Sequence, residues 1–586
     1  MVINVLSPIV ANQIAAGEVV SRPSSIVKEL MENSLDSGAD NISLIIKDAG
    51  RTMVEVIDNG CGMDKEDSKK CFLAHATSKI HSCDDLHNLT TMGFRGEALA
   101  SIAAISQVEL RTKQDEQVLG NEIIIEGGKV KSESKATTAK GTSIKVKNIF
   151  FNTPARRNFL KSDAVENSHI TEEFIRIALI NNDKSFSYYN NDKLIFKLDK
   201  SSKKKRIVDL FGSSYNNKLL PIEEKVDIVD ISGFISTIDL TRKTKNEQYF
   251  FVNNRFMKNT YLANAIDRAY NNLIPEKNFP IFFINLTVNP KNIDVNIHPT
   301  KTEIKFLDDK AIYSILYATV RKVLGVNNLA TQIDFEKKDI VFPTYSSNSD
   351  VPMPPKIDFN PNYNPFQSTQ PNTNFDHKDI SQVNVQTQIS FSANTLQSPQ
   401  EKTHIPTMQF INKYIITQIH NDIFFINQHK ASKKIIYEKL ISKQKIDIAC
   451  QKLVLPYNHF FNPKDCFRLL ENQGFLKSLG YEFNYKDDGS FDLLSVPNNQ
   501  SIEKAIETME NIVTKDNINI DEQQEREKRA LNIAENIAIK EGQHLNETEI
   551  MLIIAELLKL NDFNMLPNNE KVFLKIDESF LNKLLP

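Results

Sequence analysis

Glycine is scarce in this sequence: 18 among 586 residues, about half the usual share. Eleven of the 18 fall in residues 1–150, so backbone of special geometry is concentrated there. Cysteine is scarcer. Cys61, Cys71, Cys83, Cys450 and Cys466 are scattered and include no CxxC pair, which argues against a disulfide framework or a zinc ribbon and fits a reducing compartment. No run of about 18 apolar residues occurs, and no basic stretch followed by an apolar one opens the chain. A soluble, cytoplasmic protein without membrane contact is expected. A surplus of positive charge is missing too. Lys plus Arg total 71 against 74 Asp plus Glu, a net charge of -3, so any DNA contact must come from local patches.

What is present begins with three short stretches. The first is Glu29-Leu-Met-Glu-Asn33. Pro23 suits a helix start, Ile26, Val27, Leu30, Met31 and Leu35 recur with helical period, and Gly38 suits a left-handed end. Glu29 and Asn33 are four apart and share a face, where a carboxylate and an amide could hold a metal-bound triphosphate and its attacking water. The second is Asp58-Asn-Gly-Cys-Gly62, after the alternating strand Met53-Val-Glu-Val-Ile57. A buried carboxylate there can accept from an exocyclic amine, and Gly62 lets backbone approach a flat ligand. The third is Gly93-Phe-Arg-Gly-Glu-Ala-Leu99, whose Gly93 and Gly96 precede the apolar helix Ala98 to Ile105. Amides at such a helix start suit phosphate oxygens. Each stretch alone is common; the three in this order describe a nucleotide site.

Several domains are expected at this length. Strands are expected at 42–46, 53–57, 107–112, 121–126 and 142–146. Further strands at 226–235, 248–252 and 279–288 alternate with helices at 261–273 and 311–323, an α/β pattern. Residues 331–404 carry repeated prolines among Asn, Ser, Thr and Gln and read as a disordered linker. From 405 periodicity returns. Paired strands are expected at 414–419 and 422–426, then a helix at 431–440, an inserted subdomain at about 457–520, and helices at 525–541 and 547–560. Those last apolar faces suit a dimer interface or an internal core. The fold class is multidomain, α+β and α/β.

These residues resemble the ATPase module shared by gyrase, heat-shock chaperones, histidine kinases and MutL. Residues 1–37, with Ile14-Ala-Ala-Gly-Glu-Val19 and Arg22-Pro23, are similar to the MutL N-terminus. So are Ala76-Thr-Ser-Lys79, Gly93 to Leu99, Phe151-Asn-Thr-Pro-Ala-Arg-Arg157 and Asp294-Val-Asn-Ile-His-Pro-Thr-Lys301. The chain is identified as a member of the MutL mismatch-repair family, closely over residues 1 to about 330 and more loosely beyond. The resemblance implies a Bergerat-type α/β sandwich ATPase at 1–205 and a transducer domain at 206–330. It also implies a C-terminal dimerisation domain at 405–586. The cofactors are ATP and Mg²⁺. Glu29 becomes the general base, Asn33 the metal holder and Asp58 the adenine reader, helped by Thr142. Thr77, Ser78, Lys79, Gly93, Phe94, Arg95 and Gly96 surround the phosphates, and Lys301 contacts the terminal one. The expected protein is a homodimeric, slowly hydrolysing matchmaker. It couples a MutS-type mismatch-recognition protein to repair enzymes on DNA, and its N-terminal arm crosses to the second subunit. A non-hydrolysing scaffold is the alternative.

Two features stay open in the sequence. Arg156, Arg157 and Lys161, and the run Lys203-Lys-Lys-Arg206, are phosphate-binding surface or solvated faces. Gln451-Lys-Leu-Val-Leu-Pro456, with Gln451, Leu453, Leu455 and Pro456 as anchors, is either a sliding-clamp motif or a strand ending at proline. The family pattern also breaks. The nuclease motif of many MutL proteins, Asp-Gln-His-Ala with two downstream Glu, is here Asn427-Gln-His-Lys430, then Lys433 and Glu438. Glu535 stands where a Cys is usual. An ammonium in place of a carboxylate repels a divalent cation, so with only His429 and Glu438 retained no nuclease is expected.

Overall fold

The computed structural model describes residues 16–578 except 18, 81–90, 94–95, 295–304, 333–405, 421, 443–449, 487–488, 499, 515–521 and 561, and also residues 582–583. Residues 1–15 of the expected N-terminal arm, residues 333–404 of the linker, and the sequence from Val295 to Lys301 therefore lie outside the described residues, as do Phe94 and Arg95.

Helix α1, Pro23–Asp36, starts with Pro23 in its first turn and buries Ile26, Val27, Leu30 and Met31. Gly38 follows at φ 75°, and the Ser37 amide donates to the Asn33 carbonyl at 3.0 Å. Strands β1, Asn41–Lys47, and β2, Met53–Asp58, form the expected antiparallel hairpin. Helix α2, Ala98–Ile105, leads into β3 (Gln107–Lys113), β4 (Gly120–Glu126), β5 (Lys129–Ala136) and β6 (Gly141–Lys147). Helix α3, Asp163–Ile180, then precedes β7 (Ser185–Asn190) and β8 (Lys193–Leu198). Among the described residues these eight strands form one sheet in the order β5-β4-β3-β6-β2-β1-β7-β8. Every pairing is antiparallel except β1 with β7. Alternate residues such as Ile42, Leu44 and Ile46 share one core with Leu30, Ile102 and Phe174 of the three helices. This sandwich hangs α1 over β2, which brings Asn33 and Asp58 into one region.

Helix α4, Lys203–Phe211, leaves Lys203 and Lys205 of the basic run exposed but corrects the surface reading at Arg206. Arg206 is fully buried. Its guanidinium donates to the carbonyls of Ala178 at 2.6 Å, Lys184 at 2.7 Å and Asp199 at 3.0 Å, tying α3 to the loops flanking β7 and β8.

The next sheet holds β9 (Leu219–Val226), β10 (Val229–Ser236), β11 (Gln248–Val252), β12 (Arg255–Met257) and, after helix α5 (Thr260–Ala269), β13 (Phe282–Thr287). The strand expected over 226–235 is β10, starting at Val229, and it pairs across a turn at residues 227–228 with β9, which was not expected. The order is β12-β11-β13-β10-β9, with only β11 and β13 parallel. Helix α6, Asp309–Gln332, closes this layer over Ile312, Leu316 and Val320.

After Pro406 come β14 (Thr407–Phe410), β15 (Tyr414–Ile419), β16 (Asp422–Asn427) and α7 (Gln428–Ile441). Next are β17 (Cys450–His459), α8 (Pro463–Glu471), β18 (Glu482–Tyr485) and β19 (Phe491–Pro497). Helices α9 (Ile502–Thr514), α10 (Glu522–Ile537) and α11 (Glu547–Leu558) precede β20 (Phe573–Ile576). The sheets are β14-β15-β16-β20 and β17-β19-β18. Ile550, Ile553, Ile554 and Leu557 of α11 are spent on an internal core with Ile415 and Ile426. The described residues on both sides of 333–405 belong to one compact unit. Helix α8 lies on α3, Ser162 Oγ donates to Glu471 at 3.3 Å, and Asn462 Nδ2 donates to Glu247 at 3.3 Å. No described helix is long and apolar enough to cross a membrane.

Candidate functional site

Asp58 ends β2 with its carboxylate directed at α1. Ser34 Oγ donates to its Oδ2 at 2.8 Å, and the amides of Gly60 and Thr142 donate to Oδ1 at 2.9 and 3.3 Å. Burial pushes its pKa above the ordinary 3.8, against the pull of these three donors. A carboxylate offers about four acceptor positions, so one is left for a ligand amine. Thr142 helps through its backbone; its hydroxyl lies 3.1 Å from that of Thr112 instead. Gly62 follows at φ 69°, and a Cβ there would stand 2.2 Å from the Lys113 carbonyl oxygen. Only glycine lets this turn lie so close to β3.

One face of α1 supplies the other half. Glu29 is half-buried. Asn33 Oδ1 accepts from Lys79 Nζ at 2.8 Å, and the same ammonium lies 2.6 Å from Asp36 Oδ2. Asp36 also accepts from the amides of Met92 at 2.9 Å and Gly93 at 3.0 Å. Sequence reasoning passed over Asp36, although it lies three residues past Asn33 and seven past Glu29, the spacing of a shared helix face. The Gly93 amide and the Lys79 ammonium, both expected at phosphates, are thus engaged by Asp36 and Asn33 here. Thr77 Oγ1 accepts from the Lys79 amide at 3.2 Å, and Ser78 is exposed. Gly96, at φ 66°, brings its backbone against Ala76: a Cβ would meet the Ala76 carbonyl oxygen at 2.5 Å. The His75 amide donates to the Gly96 carbonyl at 3.0 Å. The two segments expected at the phosphates therefore lie side by side. Arg255 of β12 reaches the same place, donating a short hydrogen bond to the Thr91 carbonyl. Lys301, expected at the terminal phosphate, lies outside the described residues.

Elsewhere the expected residues divide. Arg157 and Lys161 are exposed, whereas Arg156 is half-buried with its guanidinium over Gly17. Gln451 and Lys452 pair with Val496 and Ser495 of β19, but pairing lapses before Tyr457. In that gap Leu453 packs on the subdomain core, while Val454 and Leu455 are 99% and 78% exposed and Pro456 is exposed as well.

The altered nuclease positions form an ion-pair cluster. Asn427 caps α7 by accepting from the Lys430 amide at 3.0 Å. His429 Nδ1 lies 2.8 Å from the Ile539 carbonyl oxygen and its Nε2 3.2 Å from Glu535. The buried Lys433 makes a close ion pair with the same Glu535. Burial pushes the Glu535 carboxyl up, but Lys433 and His429 outweigh it and hold the pKa below the ordinary value. Glu438 is turned to Lys434 at 2.9 Å. Sequence reading found each position but not that Glu535 and Lys433 answer one another.

Comparison with known proteins gives three family matches. Residues 20–152 match the model for histidine kinase-, DNA gyrase B- and HSP90-like ATPases. Residues 207–325 match that for the C-terminal domain of DNA mismatch repair proteins. Residues 407–545 match that for the MutL C-terminal dimerisation domain. The DNA mismatch repair protein MutL of Flavobacterium psychrophilum is 40% identical over 612 residues, covering 99% of each chain. That of Christiangramia forsetii is 37% identical, covering 98% of each. Among solved structures, the N-terminal domain of a DNA repair protein is 28% identical, with a TM-score of 0.48 over 55% of this chain and 99% of that one.

Proposed function

Because the chain belongs to the MutL family of DNA mismatch-repair proteins, we propose that it acts as a dimeric, ATP-gated clamp. In this role it couples a MutS-type mismatch-recognition protein to downstream repair enzymes on DNA. The observation that carries the reading is the convergence of Asp58, Asn33, Lys79 and Gly93 around one end of α1. Asp58 accepts the exocyclic amine of adenine. Glu29, one helical turn before Asn33, takes the proton from the attacking water. Lys79 and the Gly93–Gly96 backbone hold phosphate oxygens, and Lys301, by family resemblance, meets the terminal one.

Mg²⁺ fits this donor set. Asn33 Oδ1 is a neutral oxygen ligand that the Lys79 ammonium occupies here, so the metal would take it only once Lys79 has turned to the phosphate oxygens. When bound, the metal neutralises charge on the phosphate oxygens. Hydrolysis is slow, as suits a switch. The homodimer is held through residues 405–586 and the N-terminal halves close when ATP binds. Arg157 and Lys161, exposed beside α3, face DNA. A non-hydrolysable ATP analogue should make the full chain resist salt on circular DNA but slide off linear DNA; equal retention on both, or none, would sink the clamp.

Two finer readings have their own support. The gap in strand pairing leaves Val454, Leu455 and Pro456 standing out beside Gln451, which favours a peptide that docks in the groove of a sliding clamp. Loss of clamp binding in Leu455→Ala tests it; unchanged binding contradicts it. The Lys433–Glu535–His429 cluster favours a domain without nuclease activity, because the ammonium takes the place of metal charge. Mn²⁺-dependent nicking of supercoiled DNA that disappears in Glu438→Ala would overturn that.

A further inference from the structure

Thr91, Met92 and Gly93 are gripped from two sides, by a helix packed on the first sheet and by a strand of the second. From α1, Asp36 accepts the amides of Met92 and Gly93 at 2.9 and 3.0 Å. From β12, the Arg255 guanidinium donates to the carbonyl of Thr91. The three backbone groups follow one another along the chain, so the segment has little freedom while both grips hold.

Arg255 is itself held by a built support. It follows a tight turn in which Asn253 and Asn254 both have positive φ, 46° and 65°. The Asn253 side chain is fastened to the backbone of Val288 by two hydrogen bonds of 2.9 Å. The neighbouring Phe256 ring lies under the Arg176 guanidinium, 4.0 Å from its centroid, and Arg176 is paired with Glu172 and Glu173 of its own helix. The hairpin tip cannot drift without disturbing these contacts.

We propose that Arg255 is a positioning residue for ATP hydrolysis: by fixing the Thr91 carbonyl it sets, through Asp36, where the Gly93 backbone and the Lys79 ammonium stand. This rests on the ATPase reading of the site and adds the route by which the second sheet acts on it. The chain of contacts is short. Arg255 holds Thr91, the Met92 and Gly93 amides hold Asp36, and Asp36 holds Lys79, which also touches Asn33. Asp58 stands apart, since its donors are Ser34, Gly60 and Thr142. Adenine binding is therefore independent of Arg255, whereas the geometry around the terminal phosphate is not. A shift of β12 relative to α1 changes catalysis without changing the grip on the base.

The test compares the full-length wild type with Arg255→Ala and Arg255→Gln, measuring phosphate release, ADP affinity by calorimetry and thermal unfolding. Arg255→Ala should lower kcat roughly tenfold, the size of one hydrogen bond from a charged donor, with ADP affinity unchanged. Arg255→Gln, which keeps a neutral donor, should lose less. Combined with Asp36→Asn, Arg255→Ala should cost little beyond the single Asp36 change, because both act on one segment. Wild-type kcat in both Arg255 variants would overturn the proposal. So would a fall in kcat matched by falls in ADP affinity and melting temperature, which marks a merely structural role. If the Ala variant does not fold, the Gln variant decides by the same criteria. A wild type that releases no phosphate would instead sink the ATPase reading, and this inference with it.

Discussion

The ammonium of Lys79 lies 2.8 Å from the side-chain oxygen of Asn33, across a sequence separation of 46 residues. A lysine thus stands where the family resemblance puts a metal ion, and the carboxylate of Asp36, 2.6 Å away, balances its charge. Lys79 is 20% and Asp36 8% exposed, so solvent screens the pair only in part. Lys79→Met should cost about 2 kcal/mol of stability, as expected for a half-buried charged hydrogen bond. It should also weaken ATP binding more than ADP binding. Urea unfolding and calorimetry check the two halves, and unchanged stability with equal losses for both nucleotides would contradict the placement.

Asp58 can accept an adenine amine only while ionised. Burial raises its pKa above 3.8, so nucleotide affinity should fall on acidification earlier than an ordinary aspartate would cause. Asp58→Asn should bind weakly at every pH, since an amide nitrogen replaces one acceptor. A titration of ADP affinity against pH is the check. A profile flat down to about pH 4, or wild-type affinity in Asp58→Asn, would remove Asp58 from the adenine pocket.

Where residues 460–510 rest on 215–247, buried acids gather. Arg242 and Glu247 pair at 3.3 Å, with the Tyr215 hydroxyl also on Glu247. Burial raises Asp465 to about 6 and Glu510 to about 7, the latter against the pull of Arg242. The folded chain therefore keeps protons on these acids that the unfolded chain has lost, and stability falls as pH rises through their folded values. Burial has the opposite effect on His169 and His459, lowering each from 6.5 to about 4. The unfolded histidines shed their protons around pH 6.5 and so raise stability over part of the same range, which leaves the Glu510 share to be read as the difference between wild type and Glu510→Gln. The urea midpoint of wild type relative to that of Glu510→Gln should fall from about pH 4.5 to about 7 and level off above. A parallel drop in the variant would contradict the assignment.

Much of the nucleotide site was legible because its parts are local. Pro23, the apolar period to Leu35 and Gly38 mark α1, and the alternation to Ile57 marks β2. The strand Lys129–Ala136 was not legible. It is polar and exposed along nearly its whole length, so no buried face imposes a period of two. The strand Leu219–Val226 was missed, and the strand expected at 226 begins only at Val229, because the two-residue turn Asp227–Ile228 between them lacks glycine and proline. Asp36 could have been found from its spacing on α1; Arg255 could not, since only the assembled sheets bring it to Thr91.

Arg206 is the sharpest case of this limit. Within Lys203-Lys-Lys-Arg206 nothing local separates it from its neighbours, yet it alone is fully buried among carbonyls. Arg206→Ala should destabilise the chain by about 3 kcal/mol or more, because several buried acceptors lose their donor at once. Lys204→Ala should change stability by less than about 0.5 kcal/mol. Equal effects in urea unfolding would contradict the burial.

The role of α1 in hydrolysis is tested most directly by phosphate release from the full chain beside Glu29→Ala, with ATP binding followed in parallel. The expected result is turnover in the wild type and none in the variant, which still binds ATP. Equal turnover in the two proteins would show that the half-buried carboxylate of Glu29 takes no proton from the attacking water.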